Sequence, residues 1–267
     1  MAGQMIVLPI TVAAAAGAPR VNMNIPDAIA GKVASLKHVV SARSLVTVPG
    51  NGVSGRCRAT GLPLIPKGAS AANLALYEIA GKAALGINGS GSAGLGLPAD
   101  SLTSSFTFVM AINLNSADAL GTYPINFLSA FDTAGTYLSG LTRAYGLASS
   151  TYANKIGANT GTTGTWAFAT PPTGSWGVVV VDYNNATRVL SVSVNQAATF
   201  VAATMPASYV PPAGAYVEIG YHIDASSIRN SKMGDLYTFN DSLLRTELGK
   251  AQLADLVAAM KADYGIA

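Results

Sequence analysis

The sequence predicts an all-β fold, an antiparallel sandwich with an extended N-terminal arm and a C-terminal amphipathic helix. Three observations carry that prediction. From residue 71 onward, short apolar runs recur at intervals of about 8–12 residues, separated by Gly, Asn and Pro turns. Within the runs the side chains alternate: Phe106, Phe108, Met110, Ile112 and Leu114 with smaller partners, and Leu190, Val192 and Val194 with Ser191, Ser193 and Asn195. A period of two is that of a strand with one buried face. Finally, Leu253, Leu256, Val257, Met260 and Tyr264 share one face at helical spacing, and Gly265 follows as a stop.

Taken in order, residues 1–70 read as a basic arm with short elements. Residues 5–12 form a strand candidate, 19–26 an extended turn, 25–40 a stretch holding a short helix, and 43–48 a further strand. Pro49-Gly50-Asn51-Gly52 is a turn signal, and 62–70, with Pro63, Pro66 and Gly68, reads as a linker. The sandwich strands are expected at 74–80, 83–87, 105–114, 125–132, 137–141, 145–147, 165–169, 175–183, 189–195, 216–221 and 232–239. Val178 to Val181 is continuously apolar, as a central strand covered on both faces would be. Asn184-Asn185-Ala186-Thr187 joins it to the next strand as a hairpin. The domain division is therefore an attachment arm over 1–70 and a sandwich over 71–267, with its helix at 247–264.

Composition narrows the function classes. Of the 267 residues 50% are hydrophobic and only 11% charged, which excludes a disordered chain and favours a surface buried in an assembly. The lone Cys57 has no partner for a disulfide and is expected to be a buried, inert thiol. The most apolar stretch, 5–18, is broken by Pro9 and Gly17 and is too short to span a bilayer. No Lys or Arg precedes it, so it does not read as a signal peptide. Residues 1–70 hold Arg20, Lys32, Lys37, Arg43, Arg56, Arg58 and Lys67 against Asp27 alone, a balance suited to docking on an acidic protein surface. The same segment contains no Phe, Tyr or Trp, so nucleic acid is not an expected partner.

Two groups of segments carry a family likeness. The first is Gly174-Ser175-Trp176-Gly177 running through the valines to Asp182-Tyr183, followed by Leu190 to Asn195. The second is Glu218-Ile219-Gly220-Tyr221, then Met233-Gly234-Asp235-Leu236-Tyr237-Thr238-Phe239-Asn240, then residues 243–247. Their order and spacing over residues 71–248 resemble the laminin-G-like jelly rolls of the concanavalin A-like lectin/glucanase superfamily. One departure is Gln196, where the pattern has glycine after Asn195. The tail from 253 to 266 resembles the helix appended to such domains in bacteriophage structural proteins. The resemblance implies a virion component, in a capsid decoration or a tail fibre. It would be anchored to other virion proteins through the arm (Arg20, Lys32, Lys37 and Arg43) and assembled as a homo-oligomer, with a trimer favoured. An alternative is a receptor-binding lectin module that recognises host surface glycan.

Site chemistry is sparse. The superfamily's glucanases are expected to carry Glu-x-Asp-x-x-Glu on one strand, where alternate carboxylates share a cleft. This chain has only Glu78, Glu218 and Glu247, far apart, so no enzyme is expected. His222 with Asp224 and Ser226 or Ser227 could compose a hydrolytic triad, but no Gly-x-Ser-x-Gly elbow accompanies them. Gly89-Ser90-Gly91-Ser92-Ala93-Gly94 matches Gly-x-Gly-x-x-Gly yet runs into Leu95-Gly96-Leu97-Pro98, and so reads as a flexible hairpin or edge loop. One cofactor is implied by the resemblance: Ca2+ at a loop rim, held by Asp132 and Asp182 with help from Asn154. A glycan site needs an aromatic platform, for which Tyr145, Tyr152 and Trp166 are the candidates, with Tyr137 nearby and Trp176 assigned to the core.

Overall fold

The computed structural model describes residues 24–267 except 90, 122–123, 146–154, 161–164 and 226, and not the side chains of 140 and 142–145. Two antiparallel sheets stack face to face. The first contains β1 (Leu36–Val40), β5 (Leu74–Ile79), β6 (Lys82–Ile87), β8 (Phe106–Asn113), β13 (Trp176–Asn184), β14 (Val189–Val194), β15 (Val201–Thr204) and β17 (Lys232–Phe239). Its order is β15-β14-β13-β8-β17-β6-β5, with β1 also laid on β17. The second contains β2 (Val46–Val48), β3 (Gly52–Arg56), β4 (Pro63–Lys67), β7 (Ala93–Gly96), β9 (Ile125–Phe131), β10 (Tyr137–Tyr145), β11 (Lys155–Ala158), β12 (Ala167–Ala169) and β16 (Tyr216–Tyr221). Its order is β12-β11-β10-β9-β16-β7-β4-β3-β2.

The alternation in the sequence resolves into two apolar layers. Phe106, Phe108, Met110 and Ile112 of β8, with Val179, Val181 and Tyr183 of β13, point between the sheets. Val109, Ala111, Trp176, Val178 and Val180 point the other way, under α1 (Ile25–Ala30) and α3 (Glu247–Tyr264), α2 being the single turn Ser116–Ala119. That second covering explains the unbroken valine run. Trp176 is in this core, as expected, and its Nε1 donates to the Ile79 carbonyl at 3.1 Å. On α3, Leu253, Leu256, Val257, Met260 and Tyr264 are the buried face. Thr246 caps its start by accepting from Gly249 N at 3.0 Å, and Gly265 ends it at φ 68°.

Residues 24–70 depart from the arm that their composition suggests, because they are woven into both sheets. Asn24 caps α1 by accepting from Asp27 N at 2.8 Å, and α1, ending at Ala30, is the short helix expected within 25–40. β1 then pairs with β17, Val39 opposite Tyr237 and Val40 opposite Leu236. The linker-like prolines sit in β4, which pairs with β3 through Pro63 and Leu64 and with β7 through Ile65 to Lys67. Since each half of β4 has a different partner, neither proline interrupts a ladder bonded on both sides. Cys57 is fully buried, 3.4 Å from His38 Nδ1; burial and the Lys37 charge push that imidazole down to about 4.

Two basic residues of this segment, Arg43 and Arg58, are likewise used internally. Arg58 lies 2.6 Å from Asp27, which also accepts from the Tyr237 hydroxyl at 2.8 Å. Arg43 pairs with Asp263 of α3 and stands 3.8 Å from the buried Asp235 of β17. Lys32 is exposed and Lys37 half-buried, while Arg20 lies outside the described residues.

Candidate functional site

The polar and aromatic chemistry gathers on the outward face of the second sheet. Along β16, Val217 and Ile219 enter the sandwich, so strand alternation turns Tyr216 and Glu218 outward. Gly220, at φ 90°, breaks the alternation, and Tyr221 joins the outward cluster instead of the core. A side chain at position 220 would meet Ser227 Oγ at 2.7 Å and the Ala93 carbonyl at 2.9 Å. On β9, Ala130 goes in and Phe131 goes out. On β7, Ala93 and Leu95 go in while Gly94 and Gly96 form a bare floor.

Phe131 is the hub of this cluster. Its ring centroid is 5.8 Å from Tyr216, 6.0 Å from Tyr221, 5.9 Å from Tyr137 and 4.3 Å from the His222 imidazole. Tyr137 meets Tyr221 edge-on at 5.2 Å. Lys67 Nζ lies 5.1 Å above the Tyr216 ring, a cation–π contact. Glu218, with no exposed surface, has Oε2 2.8 Å from His222 Nδ1. Its Oε1 has no hydrogen-bond partner among the described residues and sits over Gly94, where a Cβ would fall 1.9 Å away. Burial raises the Glu218 pKa, opposed by the hydrogen bond and charge of His222 and by the charge of Lys67. Burial, helped by Glu218 and Asp132, pushes the Tyr216 phenol up to about 12.

A second aromatic group lies toward the edge of the same sheet. Ile156, Ala158 and Ala167 face inward, which leaves Gly157, Trp166 and Phe168 outward. Trp166 and Phe168 stack at 6.2 Å with 21° between planes, lying over Gly157, where a Cβ would stand 2.6 Å from the Phe168 ring. Of the three sequence-predicted glycan residues, Trp166 is thus on a ring-bearing sheet face. Tyr145 pairs through its backbone with Lys155, its side chain lying outside the described residues, as does all of Tyr152.

The calcium candidates do not converge, because Asp132 follows β9 in one sheet and Asp182 sits on β13 in the other. Asp132 accepts from Ala134 N at 2.9 Å and Thr136 N at 2.7 Å, closing a turn, and these amides hold its pKa down. Asp182 accepts from Thr107 Oγ1 at 2.5 Å and Ser242 Oγ at 2.7 Å, tying down the connection into α3. Asn154 lies outside the described residues, among which no group of three His, Cys, Asp or Glu could hold a metal ion. Nor is a triad formed among the described residues, outside which Ser226 lies: His222 turns to Glu218, while Ser227 Oγ bonds the Ala93 carbonyl and accepts from Tyr221 N at 3.2 Å. The Gly-rich stretch read as a loop ends in β7, and its last glycine is the floor beneath Glu218. Glycines alternating with Ala93, Leu95 and Leu97 were the available signal, since a strand glycine marks close approach by another group.

Burial pushes the Asp182 pKa up to about 6, with the Thr107 and Ser242 hydroxyls opposing the rise. A carboxylate raised in the folded state favours folding below its unfolded value near 3.8 and loses that contribution as pH rises through 6. Asp182→Asn is therefore expected to remove roughly 3 kcal/mol of the stability loss between pH 4 and pH 7. Urea unfolding across that range checks this; parallel curves for the two proteins would refute it.

Solved structures share this architecture. Domain 4 of AbnA, a GH43 extracellular arabinanase from Geobacillus stearothermophilus in complex with arabinotriose, matches with TM-score 0.53 and 16% identity, over 84% of this chain and 98% of that one. Trypanosoma rangeli sialidase in complex with sialic acid matches with TM-score 0.57 and 14% identity, over 86% of this chain and 33% of that one. The fold is a concanavalin-like β-sandwich. At these identities the likeness establishes the fold alone, and the chain spans about a third of the sialidase. No protein-family model matches the chain, and no curated protein sequence does. The structural matches correct the expectation that the chain is no enzyme: the sandwich occurs within enzymes that act on glycans, so a missing Glu-x-Asp-x-x-Glu strand does not exclude one. Among the described residues no helix is long and apolar enough to cross a membrane.

Proposed function

We propose that the chain is a glycan-recognising sandwich module whose ligand lies across the outward face of the second sheet. One observation carries this reading: Gly94 and Gly96 clear a strip of sheet on which tyrosine rings, His222 and the buried Glu218 carboxylate assemble. Phe131, Tyr216, Tyr221 and Glu218 are buried and pack as the base of the site, while the half-buried Tyr137 and His222 offer a ring and an imidazole to a sugar's C–H face and hydroxyls. A domain of the same fold is known in complex with arabinotriose, which supports the reading. Tyr216→Ala is expected to weaken glycan affinity at least tenfold, and Trp166→Ala, at the sheet edge, severalfold. Calorimetric titration of both variants with a glycan selected on an array measures this. Unchanged affinity in both variants would sink the proposal.

The finer assignment, a laminin-G-like jelly roll on a bacteriophage virion that meets host glycan, rests on the order of the segments from Gly174 to Glu247. In support, the valine strand of that pattern is the doubly covered β13. Antibodies raised against the chain are expected to label purified particles; particles that lack the chain would overturn this assignment.

A further inference from the structure

We infer that His222 is the polar contact of this site, that Glu218 aligns it, and that its Nε2 accepts a hydrogen bond from a hydroxyl of a neutral sugar. This rests on the glycan-binding reading and specifies which atom does the recognising and which class of sugar it selects.

The geometry of the pair assigns the roles. With Glu218 ionised and the imidazole neutral, the Oε2 contact at 2.8 Å places the proton on Nδ1 and leaves the lone pair on Nε2. The imidazole is held by more than that bond. It lies against Phe131 at 4.3 Å, and a Cβ at Gly68 would meet His222 Cβ at 3.0 Å, so the bare backbone there sets where the ring sits. Nε2 points toward the turn from Asp132 to Thr136, 3.8 Å from where a Cβ on Gly135 would stand. The side chain keeps 18% of its surface exposed, enough for an edge contact while Glu218 beneath it is sealed.

The pair is costly for packing alone. A buried carboxylate with one oxygen unpartnered among the described residues bears the desolvation of that acceptor unrepaid, which an apolar pair would not. Such local inconsistency is expected at a working site.

Charge selects the ligand class. Among the described residues, the charged groups that act on Tyr216 and Glu218, besides His222, are Glu218 of β16, Asp132 of the turn and Lys67 of β4, two carboxylates against one ammonium that already lies over Tyr216. The other groups facing the imidazole are the rings of Phe131 and, through Phe131, of Tyr137, Tyr216 and Tyr221. A sugar carrying its own carboxylate meets excess negative charge here, whereas a neutral one does not.

The test titrates the full chain calorimetrically with arabinotriose, cellotriose, maltotriose and 3′-sialyllactose, and reads the two imidazole nitrogens of His222 by nitrogen-15 NMR. At least one neutral trisaccharide is expected to bind and to perturb Nε2. His222→Ala should weaken it tenfold or more and His222→Gln, which keeps an acceptor, should recover part of that loss. Glu218→Gln should weaken binding less than His222→Ala and redistribute the proton between the two nitrogens, which a purely structural Glu218 would not do. If Tyr216→Ala abolishes binding while His222→Ala binds like the wild type, the inference fails and the glycan-binding reading stands. Preference for 3′-sialyllactose overturns the charge argument. If none of the four probes binds, the glycan-binding reading fails for this site and the inference falls with it.

Discussion

A chain shortened to begin at residue 71 is expected not to fold cooperatively, in contrast to the full-length protein. The missing segment supplies Val40, Leu45, Val53, Cys57 and Leu64 to the layer between the sheets, and Ala30, Val33 and Val39 to the layer beneath α3. Burying each valine or leucine contributes roughly 1.5–3 kcal/mol, so the set is worth on the order of 10 kcal/mol. A domain's whole net stability is about 5–15 kcal/mol, so the remainder has little left. The cut also strips β4 from β7 and β1 from β17, leaving raw sheet edges that invite aggregation. A milder version isolates the electrostatic contribution: Asp27→Ala leaves Arg58 and the Tyr237 hydroxyl without their shared acceptor. Removing one partner of a buried pair costs about 3–5 kcal/mol, here reduced somewhat because Arg58 is partly exposed. Circular dichroism melts of the three proteins decide it. A sharp transition in the 71–267 fragment would show that residues 24–70 are dispensable to the sandwich.

This segment also shows what the sequence could and could not convey. β8, β13, β14 and α3 are legible because their information is local: each residue's face follows from its neighbours two or four positions away. The role of residues 24–70 is not local. Asp27 finds Tyr237, Arg43 finds Asp263 and His38 pairs with Thr238, all across most of the chain. Read alone, Arg43 and Arg58 are surplus charge and Pro63 and Pro66 are breakers. Only the fold supplies the carboxylates and the half-paired strand that absorb them.

The site was hidden for the same reason. Glu218 and His222 are four residues apart in sequence, but on a strand that spacing does not by itself bring two side chains together. The left-handed Gly220 and the floor at Gly94 allow it. Scarce glutamate told against the two-carboxylate chemistry of a glucanase strand, and a single buried glutamate paired with histidine is a different arrangement. Trp166 was found because an aromatic in a Gly-rich region is conspicuous. Phe131 and Tyr216, by contrast, read in the sequence as ordinary strand residues.

Gly94 is where fold and site compete most directly, and a mutant cycle there should show it. The backbone of Gly94 is not left-handed, so alanine is conformationally acceptable, and in a strand it should ordinarily stabilise by a few tenths of a kcal/mol or more. Instead the new Cβ would lie 1.9 Å from Glu218 Oε1 and 2.4 Å from its Cδ, a clash that the sealed carboxylate cannot escape without leaving His222. Gly94→Ala is therefore expected to destabilise the protein by about 1–3 kcal/mol, as overpacking does, and to lower glycan affinity more than tenfold. In a Glu218→Ala background the obstruction is gone, and the same substitution should be neutral or stabilising. Chemical denaturation of the four proteins gives the coupling directly. Coupling near zero would mean that Gly94 is present for strand packing and not to seat the carboxylate. A large coupling would show that the bare strand exists to hold Glu218 under His222.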